Sequence, residues 1–367
     1  MNSKKYISIL VINYNGVSTL GSLLFKCLDT FAEEIRSSND LVDIWIVDNG
    51  STDSSLEKIR ERYGRLFSYL RLSKNFGYGT ACNIAYTYLK KIGLKYKYYA
   101  CSNNDIELLT GSLVRLISTL KELETRYPRG FVATPLLING FDGLIDYGGY
   151  FIDDAGNTWG LRLVFTNPTI ATKVIKRSLP VHYADGAFLI VSGNLIESIG
   201  FFNSRIFLYY EDVELSLRAW SRGYPVLLLP IIVGKHYRSS TTRRIRFVVF
   251  TYTRNRISTM VEYMPPHSLV KFLLWYGFYP LRVIEPKSNY ALISLSKIIT
   301  PMYSNVALYS SFPYFVWGVL KGLNRTIGKG KKRLVFFRVK ISDIISQKRV
   351  FYSLQEQTKK YVFERIG

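Results

Sequence analysis

The stretch DIWIVDNGSTDSSLEKI (43–59) runs from an apolar segment through a polar turn into a helical pattern. Ile44–Val47 reads as a buried strand that ends on Asp48. Asn49-Gly50 is turn chemistry, and Asp53 reads as the cap of a helix-like stretch over Leu56–Tyr63. One strand, one polar turn and one helix form half of a βαβ unit, and the same grammar recurs on both sides.

Further strand-like runs lie at Tyr6–Ile12, Ser68–Leu72, Tyr98–Ser102 and Phe131–Leu137. Helical patterns separate them near Leu20–Arg36, Ala81–Lys91 and Ser112–Arg126. Repeated strand–helix–strand order predicts right-handed crossovers, and so an α/β domain with a mostly parallel central sheet flanked by helices. Residues 139–180, rich in Gly, Asp and Asn, read as an inserted excursion. Strand character returns at Gly186–Val191 and Val226–Val233, around a helix near Val213–Arg222. The short run Tyr6–Ile12 reads as a first strand and is no signal peptide.

Charge divides the chain. Residues 231–367 hold 24 Lys+Arg against 5 Asp+Glu, a balance of +19, whereas residues 1–230 carry only +3. A near-neutral front and a basic, aromatic back suggest a catalytic domain followed by an anion-seeking region. Lys297 and Lys321 bracket 23 uncharged residues interrupted by Pro301 and Pro313. With so many cations nearby, that stretch reads as a surface-lying amphipathic segment on an anionic membrane. It carries no nucleic-acid motif, so no nucleic-acid partner is expected. Cys27, Cys82 and Cys101 lack metal-site spacing and read as buried free thiols of a reducing compartment.

In parallel α/β sheets ligands bind beyond the carboxyl ends of the strands. Four polar clusters fall there: NYNG (13–16), DNGSTD (48–53), SKNFGYG (73–79) and NND (103–105). Asp48 at a strand end can accept a hydrogen bond from a pyrimidine N3–H. Lys74, Asn75 and Gly77 open a helix where backbone amides and one cation suit a phosphate. Asp105, beside Asn103 and Asn104, is an oxygen ligand for Mg²⁺ or Mn²⁺, whose shell a diphosphate would complete. Glu211 and Asp212 head a helix, either as acids favoured by its dipole, with Asp212 as N-cap, or as a general base. His236, just past an apolar strand, is a candidate metal ligand.

In this order VINYNG, IVDNGSTD, SKNFGYGTACN, CSNNDIEL, DGAFLIVSG, IGFFNSRIFLYYEDVELSLRAWSRGY and His236 resemble the inverting, GT-A fold glycosyltransferases of family 2, particularly the rhamnosyltransferase-like branch. The resemblance covers about residues 6–240, with an echo in TYTRNR (251–256). It implies a nucleotide-diphospho-sugar transferase fold in residues 1–240, with 139–180 on the acceptor side; residues 241–367, from their charge and aromatic content, are expected to form a mostly helical membrane-associating region. It further implies a UDP- or dTDP-sugar donor held by Asn13, Asn15, Asp48, Lys74, Asn75, Gly77 and Asn104. Asp105 and His236 would serve a divalent cation, Asp212 would be the general base, and Asp185, Gly186 and Glu211 would line the acceptor side. A lipid-linked or cell-surface glycan would be the acceptor, at the cytoplasmic face of the membrane. Two positions depart from the pattern: Asn103-Asn104-Asp105 replaces Asp-x-Asp, and Glu214 stands where an Asp is common.

Overall fold

In the computed structural model, Ile7–Asn13 (β1) and Val42–Asp48 (β2) are buried on both faces. The structure describes residues 5–38, 40–147, 150–152, 158–160, 167–238 and 245–264, with 269, 270, 272, 317, 320 and 321. Alternate side chains of β1 and β2 divide between two cores, as the period of two requires. Leu10, Ile12, Trp45 and Val47 enter one; Ile7, Ile9, Val11, Val42, Ile44 and Ile46 enter the other.

The remaining strands are Ser68–Arg71 (β3), Tyr98–Asn103 (β4), Ile106–Leu108 (β5), Val132–Asn139 (β6), Ile145–Tyr147 (β7), Tyr150–Ile152 (β8), Thr158–Gly160 (β9), Leu179–Pro180 (β10), Phe188–Ser192 (β11) and Val226–His236 (β12). The helices are Gly16–Leu20 (α1), Ser22–Ser37 (α2), Ser55–Tyr63 (α3), Tyr78–Lys91 (α4), Ser112–Arg126 (α5), Pro168–Val174 (α6), Gly193–Ile199 (α7), Glu211–Ser221 (α8) and Ile245–Tyr263 (α9). The main sheet runs β10-β12-β6-β11-β4-β1-β2-β3. β3, β2, β1 and β4 are parallel, as are β6 and β12. β11 lies antiparallel between β4 and β6, because the chain re-enters the sheet from the 139–180 excursion in the opposite direction.

Helix α2 shows why the layers hold. Leu24, Cys27, Leu28, Phe31 and Ala32 form one buried stripe at helical spacing. Full burial of Phe31 alone is worth roughly 2–3 kcal/mol. The next turn carries the buried Glu34, which accepts from the Gly111 and Leu113 amides at 2.6 and 2.9 Å. It thereby caps α5, where a carboxylate meets the positive end of the helix.

Several expectations shift by a residue or a turn. The helix expected over Leu20–Arg36 is broken at Gly21, whose φ of 58° separates α1 from α2. β12 continues to His236, which therefore ends the strand rather than following it, because Ile106 of β5 pairs opposite it. All three cysteines are buried and free. Of the basic region, α9 is described. The stretch 298–320 lies outside the described residues, apart from 317 and 320. Among the described residues no helix is long and apolar enough to cross a membrane.

Candidate active site

The parallel register places Asn13 beside Asp48 and Ile12 beside Asn103, so three strand ends share one edge. Asn104 donates to Asn13 Oδ1 at 2.8 Å, and Asn13 donates to Asp48 Oδ1 at 3.1 Å and Ser51 Oγ at 3.3 Å. Asp48, fully buried, also accepts from the Ser51 amide at 3.1 Å. Asn15 sits at φ 50°, a left-handed conformation Asn tolerates, and its Oδ1 accepts from the Thr52 amide at 2.8 Å. Asp53 accepts from the Ser55 amide at 3.0 Å and the Ser18 amide at 2.9 Å, so it stands one residue before the N-cap, Ser54, satisfies the first amide of α3 and ties it to α1.

The SKNFG turn is held by its own side chains. Gly77 donates its amide to Asn75 Oδ1 at 2.9 Å, so that N–H is already spent. A Cβ on Gly77, at φ 84°, would lie 1.9 Å from the Phe207 carbonyl oxygen. The glycine is there to let the 200–210 segment pass. Asn49 joins the two turns, donating to Asn75 Oδ1 at 3.1 Å and accepting from the Phe76 amide at 3.0 Å. Lys74 is exposed, its ammonium 5.3 Å from the Phe76 ring centre.

At the end of β4, Asp105 meets His236. Their Oδ1 and Nε2 atoms stand 3.4 Å apart, and Asn103 Nδ2 is 3.3 Å from the same nitrogen. The other ring nitrogen lies 2.8 Å from Asp146 Oδ2, and Arg238 in turn pairs with Asp146. Burial disfavours the imidazolium, but Asp105 and Asp146 outweigh it and raise the His236 pKa to about 9. A carboxylate and an imidazole nitrogen converge here, with the remote nitrogen fixed by a buried acid. That is the donor set and outer support divalent cations use. Among the described residues no group of three such side chains forms a complete metal site. The donor set therefore fits a cation only as a half-site, to be completed by other oxygens.

A second cluster gathers Asp185, Glu211 and Asp212. α8 begins at Glu211, and its N-cap is Tyr210, so Asp212 occupies the first turn rather than the cap. Tyr209 and Tyr210 both hold left-handed backbone, φ 65° and 76°, at roughly 1–3 kcal/mol each. Asp212 Oδ2 accepts from the Gly186 amide at 2.9 Å, and Oδ1 from the Val213 amide at 2.8 Å. Tyr78 steadies that loop by donating to the Gly186 carbonyl at 2.7 Å. Asp185 and Glu211 are buried, whereas Asp212 is partly exposed. Burial and the Asp212 charge push Asp185 up to about 7 and Glu211 up to about 8. Burial also raises Asp212, against the amides of Gly186 and Val213. Glu211 Oε2 is buried without a hydrogen-bond partner among the described residues, so Glu211 is the natural holder of a proton. Asp212 is the member of the trio whose carboxylate is best supported, with two amide donors and partial exposure.

Asp185 links the two clusters, because its pKa responds to both Asp212 and His236. The Asn103 amide donates to Ala187 O at 3.0 Å, pinning the Asp185 loop to the end of β4. Glu214 turns away from this cleft to pair with Arg218 at 3.0 Å.

A family model described as Glycosyl transferase family 2 matches residues 8–131, which run from β1 to the start of β6. The matched segment is a glycosyltransferase family 2 domain, and the chain is a glycosyltransferase. This glycosyltransferase is 27% identical over 220 residues to N-acetylglucosaminyl-diphospho-decaprenol L-rhamnosyltransferase of Mycobacterium tuberculosis, strains CDC 1551 and H37Rv. The match covers 55% of this chain and 69% of the relative. Its fold is that of GT-A glycosyltransferases. The crystal structure of GalNAc-T7 with UDP, GalNAc and Mn²⁺ superposes with a TM-score of 0.53 at 15% identity. That superposition covers 90% of this chain and 59% of the other, so the glycosyltransferase spans under two thirds of that protein's length.

The sequence reading missed Asp146, Arg238 and Tyr78, and the bonds that Asn49 and Ser51 make. Asp146 lies in the Gly-rich excursion, where an isolated acid carries no spacing signal. Ser51 and Tyr78 sit inside quoted motifs, but their roles depend on which atoms the fold turns toward them.

Proposed function

We propose that this glycosyltransferase moves a sugar from a UDP- or dTDP-sugar to an acceptor hydroxyl with inversion at the anomeric carbon. One observation carries the reading. Asp212 is the only partly exposed member of the Asp185–Glu211–Asp212 trio and is held by the Gly186 amide. Its raised pKa makes it a better proton acceptor than an ordinary surface carboxylate. Glu211 and Asp185, carrying protons near neutrality, spare Asp212 the repulsion of two further charges.

In this mechanism the Asn13–Asp48–Ser51 lattice anchors the base end of the donor, with Asn15, Asn75 and Asn104 shaping its walls. Lys74, exposed at the rim, lends charge to the diphosphate. Asp105 and His236 would hold Mg²⁺ or Mn²⁺, with Asp146 keeping the His236 ring oriented. Such a cation would supply positive charge to the leaving diphosphate. Asp185 and Gly186 line the acceptor side, and Asp212 takes the hydroxyl proton as the acceptor oxygen attacks opposite the leaving group. A direct displacement inverts configuration. The products are therefore read by the anomeric coupling in proton NMR: inversion supports the scheme, and retention overturns it.

The relative's name supports a lipid-linked glycan as acceptor, and GalNAc-T7, crystallised with UDP and Mn²⁺, supports the donor class and the cation. The +19 balance of residues 231–367 supports attachment to an anionic, cytoplasmic membrane face. Full-length protein should float with anionic vesicles and stay behind with zwitterionic ones; equal flotation contradicts the attachment.

A further inference from the structure

Helix α9 follows the catalytic strands, yet it reaches back to the segment that carries Asp212. Asn255, fully buried on α9, donates both amide hydrogens to that segment, to Leu208 O at 2.9 Å and Tyr209 O at 2.8 Å. These are the carbonyls of the peptide bonds that enter and leave Tyr209. From there the backbone runs left-handed through Tyr209 and Tyr210 before α8 begins. Neither residue is glycine, so the turn persists only because its surroundings hold it. Tyr252 of α9 packs edge-on against Tyr210, with ring centres 5.2 Å apart. One turn into α8, Glu214 receives the Tyr263 hydroxyl at 2.9 Å. α9 thus clamps the head of α8 before and after the acidic pair.

We propose that Asn255 is a positioning residue for glycosyl transfer: by bonding Leu208 O and Tyr209 O it fixes the left-handed turn that aims Asp212 at the acceptor side. The inference rests on the reading of Asp212 as general base. Among the described residues no hydrogen bond joins Asn255 to Asp212 or to the strand ends assigned to the donor, so its influence is expected on the chemical step and not on donor binding. It also gives α9 a catalytic reason to be continuous with the domain before it.

The test compares Asn255→Ala, Asn255→Ser and Asn255→Ala/Tyr209→Gly in the full chain. Turnover uses the best donor of a UDP- and dTDP-sugar panel, and binding uses UDP and dTDP with Mn²⁺ by calorimetry. For Asn255→Ala, kcat should fall about 10- to 100-fold, up to the lower end of general-base contributions, while nucleotide affinity stays within about twofold. Asn255→Ser, which keeps one donor, should fall between that variant and wild type. Tyr209→Gly in the alanine background should restore part of kcat, because glycine takes φ near 65° without a Cβ penalty. The acid limb of the kcat–pH profile should move down in Asn255→Ala, as a displaced Asp212 leaves the surroundings that raise its pKa. Unchanged kcat in both single variants overturns the proposal. So does a loss that glycine fails to rescue and that comes with equal loss of nucleotide affinity, which marks a purely structural role. Near-normal turnover of Asp212→Asn would instead overturn the base assignment beneath it, so the two failures are distinguishable.

Discussion

Replacing Glu211 by Gln should stabilise the protein increasingly as pH rises. Glu211 is buried, its Oε2 meets no donor among the described residues, and Asp212 adds like charge; together these raise its pKa from 4.5 to about 8. A carboxyl whose folded pKa exceeds its unfolded value contributes fully below the unfolded value. That contribution is lost as pH climbs through the folded one. The window therefore runs from about 4.5 to about 8. Within it wild type loses about 1.4 kcal/mol per pH unit relative to the Gln variant. Between pH 5.5 and 7.5 the difference should grow by about 3 kcal/mol, or roughly 5–10 °C in Tm for a domain of this size. Differential scanning fluorimetry of both proteins across that range measures it directly. A Tm difference that does not change with pH refutes the reasoning. The same logic fixes the activity: Gln mimics the protonated acid, so turnover at pH 7 should stay within about fivefold of wild type. Loss of 10²–10⁴ would make Glu211 itself the base.

Gly77→Ala and Gly21→Ala form a matched pair. Both residues sit at positive φ, but a Cβ on Gly21 meets nothing within 4 Å, whereas one on Gly77 meets Phe207 O. Gly21→Ala should cost about 1 kcal/mol in urea unfolding from backbone strain alone. Gly77→Ala should cost clearly more and weaken nucleotide binding; equal costs would deny the close approach its importance. Asp105→Ala should abolish the Mn²⁺-dependent gain in UDP or dTDP affinity by calorimetry, and a persisting gain would remove Asp105 from the cation site. Asp146→Asn should weaken the apparent Mn²⁺ affinity about 10- to 100-fold, as losing an outer-shell partner does. Unchanged affinity would show that Asp146 serves only to pair with Arg238.

Much of the fold could be read from the sequence because β1 and β2 obey one strong rule. Strands buried on both faces leave apolar runs, and polar turns mark their ends. The antiparallel β11 was not legible, since strand direction depends on where the chain re-enters the sheet and leaves no local pattern. The same division holds at the site. Asp48, Asp105, Asp212 and His236 stand at motif positions. Which acid keeps a charge was not readable, because it depends on the Gly186 amide, a neighbour from another segment. Asp146 and Asn255 reach the site only through long-range packing, across 90 residues to His236 and 46–47 residues to the Leu208–Tyr209 turn. At Gly77 the motif gave no sign of the close approach of Phe207, which the missing side chain admits.

The central claim is that Asp212 accepts the acceptor's proton in a glycosyl transfer whose donor is held elsewhere. Asp212→Asn separates those two statements when turnover and nucleotide binding are measured on the same preparation. UDP or dTDP affinity with Mn²⁺ should remain within about twofold of wild type, while kcat falls at least about 10²-fold. Turnover within a few-fold of wild type would contradict the account.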